Sequence, residues 1–262
     1  MFRWCAYCWS FLGESEPLLD YSATHGLCGR CQSGQVISNS AAIARLRPIA
    51  RFHADMLEVA TTGASYDATA ILARGAELRL QPVALLMGVL QPALYEVGRL
   101  WEQGRVRPAV EAHLTRLCED VLDALVHRQT SERPLSGAHP VFALPAAGNA
   151  HTFGLRMMAF ALREEGHDIR VFRRAPSAAH LLDLCAMAQP SALCISVALP
   201  EHLGYVDEVA EGLKSRELGC RIVVGGISAR GAHALPPGVI RCSSHGELAH
   251  WLKSAKKVPA SD

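Results

Sequence analysis

The stretch VFALPAAGNAHTFGLRMMAFALREEG, residues 141–166, decides the fold. Its first four residues form an unbroken apolar run, the pattern of a strand buried on both faces. From Gly154 onward apolar residues recur at three- and four-residue spacing, as on one face of a helix. Between the two lies GNAHTFG (148–154), with His151 between Gly148 and Gly154. Strand, glycine-bearing turn and helix make one βα unit, and the downstream chain repeats it. Apolar strand candidates at 141–144, 169–172, 192–198, 221–224 and 239–242 alternate with helix candidates at 154–165, 177–188, 203–216 and 245–256. Such alternation predicts an α/β domain over 138–256, a parallel doubly wound sheet of five strands. Ligands of such sheets bind beyond the carboxyl ends of the strands, where the strand order reverses. Three loops fall there: GNAHTFG after the first strand, SVALP (196–200) after the third and GGIS (225–228) after the fourth. Their glycines let backbone approach a ligand closely.

Upstream, residues 40–130 read as helices. AAIARLRPIARFHADMLEVA (41–60), YDATAILARGAEL (66–78), PVALLMGVLQPALYEVGRLWEQG (82–104) and PAVEAHLTRLCEDVLDALVH (108–127) all carry helical periodicity. Pro82 and Pro108 stand where helices open and Gly104 where one closes. Four such helices make a bundle. The segment RQTSERPLSGAH (128–139) then breaks the pattern with polar residues, Pro and Gly.

The first 36 residues differ again. Cys5-Ala6-Tyr7-Cys8 and Cys28-Gly29-Arg30-Cys31 are two C-x2-C pairs separated by nineteen residues, the spacing of a four-cysteine zinc site. Each pair offers two thiolates to one tetrahedral ion, and metal ligation would supply folding energy that so short a segment cannot draw from a core. Zinc in a small ribbon-like head is the expectation; an iron–sulfur cluster or a redox dithiol are the alternatives. The remaining cysteines (Cys118, Cys185, Cys194, Cys220, Cys242) sit in apolar contexts and read as small buried hydrophobes.

The chain of 262 residues has a formal net charge of +1 and is 50% hydrophobic. That balance gives no electrostatic footprint for nucleic acid or an anionic membrane. Neither a secretory leader nor a run of about 18 apolar residues is legible, so a cytoplasmic protein without a membrane span is expected. No nucleophile or general base stands out.

The three loops together resemble the cobalamin-binding domain, whose motif runs Asp-x-His-x-x-Gly, then Ser-x-Leu or similar, then Gly-Gly. Here it reads Asn149-Ala150-His151-Thr152-Phe153-Gly154, Ser196-Val197-Ala198 and Gly225-Gly226. The resemblance implies a flavodoxin-like fold in which His151 is the lower axial ligand of cobalt. Gly154, Ser196, Ala198, Gly225 and Gly226 would line the pocket for the displaced nucleotide tail. The family's Asp is Asn149 here. A neutral amide raises imidazole basicity less than a carboxylate does, which implies weaker cobalt–histidine coordination.

The helical segment resembles the cap of cobalamin photoreceptors of the CarH type, marked by Trp, nine residues, then Glu-His. Trp101 and Glu111 keep that spacing, but Ala112 follows and the histidine comes one later, at His113. One residue turns a helix face by about 100°, so His113 does not replace the family's histidine directly. Glu102 stands where the receptors carry their light-adduct histidine. In layout the chain resembles the cobalamin-dependent antirepressors of photosynthesis genes, which act through a partner repressor. The resemblance therefore implies a light- or redox-responsive regulator. It would act on a DNA-binding transcription regulator without touching DNA itself, the cysteine head being an interaction module. The alternative is a corrinoid carrier of a methyltransferase system; storage or delivery of cobalamin, and homo-oligomerisation, stay open. A mutase is disfavoured, since no length remains for a substrate barrel.

Overall fold

The structure is a computed structural model. It describes residues 1–5, 10–17, 20–28, 31, 39–62, 67–132, 139–226, 229, 234–242 and 245–255. The chain divides into two compact units, Met1–Gln129 and Thr130–Asp262.

The first unit begins with three short strands, β1 (Phe2–Cys5), β2 (Phe11–Glu14) and β3 (Ala23–Gly26). They form a sheet in the order β2-β1-β3, with β1 antiparallel to β2 and parallel to β3. Four helices follow: α1 (Asn39–Thr62), α2 (Ala68–Glu77), α3 (Pro82–Glu102) and α4 (Pro108–Glu132). Their apolar periodicity becomes the core: α1 buries Ile49, Phe52, Met56 and Val59, and α4 buries Leu114, Leu117, Cys118, Val121 and Leu122. Asp67 caps α2 by accepting the Ala70 N–H at 2.7 Å.

The long apolar helix α3 is not uniform. Pro92 has no N–H to offer the Gly88 carbonyl, and its ring crowds that carbonyl. The chain answers with a π-helical turn over Leu86–Leu90 immediately before it. All five residues of that turn are buried, so the apolar length of α3 serves a protein core. Against this turn lies Trp4, 1% exposed. A Cβ on Gly88 would come within 2.2 Å of the Trp4 ring. Glycine is required there because an indole rests on the backbone. Further contacts tie the strands to α3: Tyr21 packs on Tyr95 with ring centroids 5.3 Å apart, and Gln91 donates to Glu14 at 3.4 Å.

The second unit is the expected α/β domain. Strands β4 (Val141–Pro145), β5 (Ile169–Val171), β6 (Ala192–Ser196), β7 (Arg221–Gly225) and β8 (Ile240–Arg241) are parallel, in the order β5-β4-β6-β7-β8. That is the flavodoxin-like order, with its switch point between β4 and β6. Alternate residues serve opposite faces: Phe142, Leu144, Leu193 and Ile195 pack with α6 (Ala178–Ala188) and α7 (Leu203–Ser215). Val141, Ala143, Cys194 and Val223 pack with α5 (Phe153–Glu164) and α8 (His245–Ala255). Burial on both faces explains why these strands read as unbroken apolar runs. The buried thiols behave as hydrophobes: desolvation pushes Cys194 up to about 12 and Cys242 up to about 11.

Two glycines on α3 test the seat of Trp4. In an ordinary helix interior alanine is favoured over glycine by about 0.8–1.0 kcal/mol. Gly98 has no atom within 4 Å of an added Cβ, so Gly98→Ala is expected to stabilise the first unit. Gly88→Ala is expected to destabilise it. Urea unfolding followed by far-UV circular dichroism reads both signs, and a stabilised Gly88→Ala would mean that no indole rests there.

Candidate functional site

The β4-to-α5 connection is built to present His151. Ala146 through Asn149 form a tight turn, closed by the Asn149 N–H donating to the Ala146 carbonyl at 3.0 Å. Gly148 occupies its third position with φ +80°, a conformation that favours glycine. Asn149 then turns inward and is buried. Its Nδ2 donates to the Ser196 carbonyl at 2.8 Å, and its Oδ1 accepts the backbone N–H of His151 at 2.9 Å. The Ser196 carbonyl also accepts the Ala146 N–H at 2.9 Å. One amide thus fastens the loop after β4 to the end of β6, across the switch point, and holds the His151 backbone. Both hydrogen bonds go to backbone rather than to the imidazole. The His151 side chain is exposed on the carboxyl edge of the sheet.

The neighbouring loops meet this one. Val197 donates its N–H to the Gly225 carbonyl at 2.8 Å. Gly226 has φ +106°, and a Cβ there would lie 2.3 Å from the Val197 carbonyl oxygen. Glycine is therefore required at 226, where the β6 and β7 loops touch backbone to backbone, whereas a Cβ at Gly225 would meet only the Cys242 carbonyl oxygen at 3.5 Å. Ala198 follows Val197 on the same loop and is half-buried. Gly154, in the first turn of α5, has nothing within 4 Å of an added Cβ. Gly154 and the His151 side chain are both exposed on this edge.

Two residues of this edge were not singled out from the sequence. His202 is buried in the turn that follows β6. Its Nδ1 accepts the Leu199 N–H at 3.2 Å, which places the proton of the neutral ring on Nε2. That nitrogen lies 3.6 Å from where a Cβ on Gly148 would stand, so His202 backs the turn that leads to His151. Tyr205 donates to the Pro176 carbonyl at 2.8 Å and ties the loop after β5 to α7. Burial, then Glu208, pushes its phenol up to about 12, so it stays a donor at neutral pH. The only sequence signal for either was an aromatic or imidazole ring close behind a strand.

In the first unit, α3 ends in a left-handed Gly104 (φ +68°), with Gly104 donating to the Trp101 carbonyl and Arg105 to the Leu100 carbonyl, each at 2.8 Å. This cap leaves Trp101 in the last turn, 47% exposed. Glu102, Ala112 and His113 are exposed. Glu111, in the first turn of α4, is half-buried and accepts the Thr115 hydroxyl at 2.9 Å.

At the head, parallel pairing sets Cys5 beside Gly26, so the chain after β3 delivers Cys28 and Cys31 to the same end of the sheet as Cys5. The sulfurs of these three residues lie within 4.8 Å of one another. The Cys31 N–H donates to the Cys28 carbonyl at 2.9 Å, closing the turn of that pair. Cys8 lies outside the described residues.

Two family models, each described as a B12 binding domain, match the chain: one over residues 140–249 and one over residues 53–126. No curated protein matches the sequence. Among solved structures, the monomethylamine corrinoid protein of Methanosarcina barkeri aligns with a TM-score of 0.65 at 12% identity, covering 80% of this chain and 99% of that one. A chain of the methanol:cobalamin methyltransferase complex of the same organism aligns with a TM-score of 0.42 at 14% identity, over 87% of this chain and 89% of that one. The likeness to the first shows a shared fold. The two domain matches, one on the helices and one on the sheet, support cobalamin binding by this chain.

Proposed function

We propose that this chain is a corrinoid carrier of a methyl-transfer system, with His151 as the lower axial donor to cobalt. The observation that carries the cobalamin site is the exposed His151 on the switch-point edge, its backbone held by the buried Asn149. The carrier role is supported by the likeness to a monomethylamine corrinoid protein over nearly all of that protein's length. Bound there, cobalamin would supply a cobalt ion able to carry a methyl group. The chain's own residues do the rest. His151 donates a nitrogen, and Asn149 fixes the loop that carries it. Gly154, Ser196, Ala198, Gly225 and Gly226 keep the tail side free of bulk. By the resemblance of the helices to the receptor cap, Trp101, Glu111 and His113 would be the first unit's candidate residues toward the cofactor.

A second reading is a light- or redox-responsive regulator that engages a DNA-binding partner protein. The Trp101–Glu111 spacing favours it, as does the cysteine head with its three converging sulfurs, which a carrier does not need. In that reading the helices shift between two packings, one of which binds the partner. The head takes zinc in both.

Hydroxocobalamin added to the purified protein is expected to shift its absorption spectrum, and His151→Ala to lose that shift. An unchanged spectrum in His151→Ala would remove His151 from the cobalt. Asn149→Ala keeps the imidazole and loses the clamp. It is expected to bind about 10- to 100-fold more weakly and to destabilise the second unit by about 1–3 kcal/mol, measured by titration and denaturant unfolding. Methylcobalamin on the protein separates the two roles. Demethylation by a corrinoid methyltransferase in the dark supports the carrier, whereas a stable light-formed species that changes partner binding supports the regulator.

A further inference from the structure

The head meets α3 at three described contacts, Trp4 on Gly88, Tyr21 on Tyr95 and Glu14 with Gln91, and the residue after Trp4 is a cysteine whose sulfur meets two others. Cys5 is 0% exposed and pairs with Gly26 through the parallel β1–β3 ladder. Its N–H donates to the Ser10 carbonyl at 2.8 Å, which holds the end of β1 in place. Three thiols within 4.8 Å of one another, one of them fully buried, are a poor arrangement for neutral packing and a good one for a soft, tetrahedral divalent ion. The head has little apolar material of its own among the described residues. Its three strands have four residues each, and its core amounts to Phe2, Trp4 and Phe11 in ring contact. The Trp4 Nε1–H is buried without an acceptor among the described residues, a cost that the seat must offset from another source.

We propose that Cys5, Cys28 and Cys31 hold a zinc-class ion as thiolates, and that this ion keeps Trp4 seated on the π turn of α3. The ion joins the end of β1 to the chain after β3, so β1 cannot move away without breaking a metal–sulfur bond. Trp4 immediately precedes the ligand Cys5, and its ring fills the space that a Cβ at Gly88 would need. Metal occupancy at the head is therefore read out 55 to 59 residues along the chain from Cys31, at Leu86–Leu90, the π turn that precedes Pro92, a residue without an N–H for the helix. The head is a clasp on α3 rather than a detached module. Since α3 also carries Trp101, the clasp would stiffen the helix whose motif resembles the receptor cap; that consequence alone rests on the cobalamin reading.

The test uses the full chain free of cobalamin, so that it stands or falls apart from that reading. Zinc content after purification is measured first. The metal-stripped protein is then titrated with Co2+, and hydrogen exchange is followed by mass spectrometry with and without metal. Expected are one ion per chain and intense thiolate-to-cobalt charge-transfer absorption. Exchange over residues 86–90 should be roughly tenfold or more faster on metal removal, while residues 192–196 in the second unit are unchanged. The double variant Cys28→Ser/Cys31→Ser should lose the absorption and match the stripped protein. If that variant does not fold, chelation of the native chain makes the same comparison. Absence of both stoichiometric zinc and the thiolate bands overturns the site. Thiolate bands with exchange at 86–90 indifferent to metal overturn the clasp.

Discussion

The ligand edge of the second unit depends on the point where β4 and β6 part. At a switch point neighbouring strands send their chains to opposite faces of the sheet, which opens a crevice and leaves carbonyls at its lip. Here one of those carbonyls, that of Ser196, is taken by the buried amide of Asn149 at 2.8 Å. The same amide holds the backbone N–H of His151. Glycine at 148 makes the turn, His202 backs it, and Gly226 allows the β7 loop to reach Val197. A carboxylate could not donate to the Ser196 carbonyl, so the clamp requires the amide of Asn149.

The first unit has a comparable constraint. A proline inside a helix leaves a carbonyl without its partner, and the chain relieves the crowding one turn earlier by widening to a π turn. In α3 that turn is where glycine stands and where Trp4 is received. The defect and its cover are parts of one arrangement. It explains why a helix long and apolar enough to cross a bilayer by composition alone (mean hydropathy 1.2) is packed as a core.

Cysteines divide accordingly. Cys118, Cys185, Cys194 and Cys242 are buried as expected, whereas Cys220 is only half-buried and hydrogen-bonds with Cys185; desolvation raises Cys118, Cys194 and Cys242. Cys5, Cys28 and Cys31 converge instead on one point. Spacing alone separates the two classes, because a tight C-x2-C turn is useful only where two sulfurs must face the same way.

The sequence by itself determined the alternation of strands and helices, the edge on which His151 stands and the convergence of Cys5 with Cys28 and Cys31. Each follows from local rules: apolar period, glycine in tight turns, ligand spacing. It also carried the loop motif, Asn149 to Gly154 with Ser196 and Gly225-Gly226, that resembles the cobalamin-binding pattern. It did not show the π turn in α3, the seat of Trp4 on Gly88, the use of Asn149 as a backbone clamp, or His202 beneath the turn. Those join residues far apart along the chain, Trp4 with Gly88 and Asn149 with Ser196. Which of many apolar or polar side chains fills a given gap is decided by packing once the elements are assembled, and that only the tertiary structure supplies.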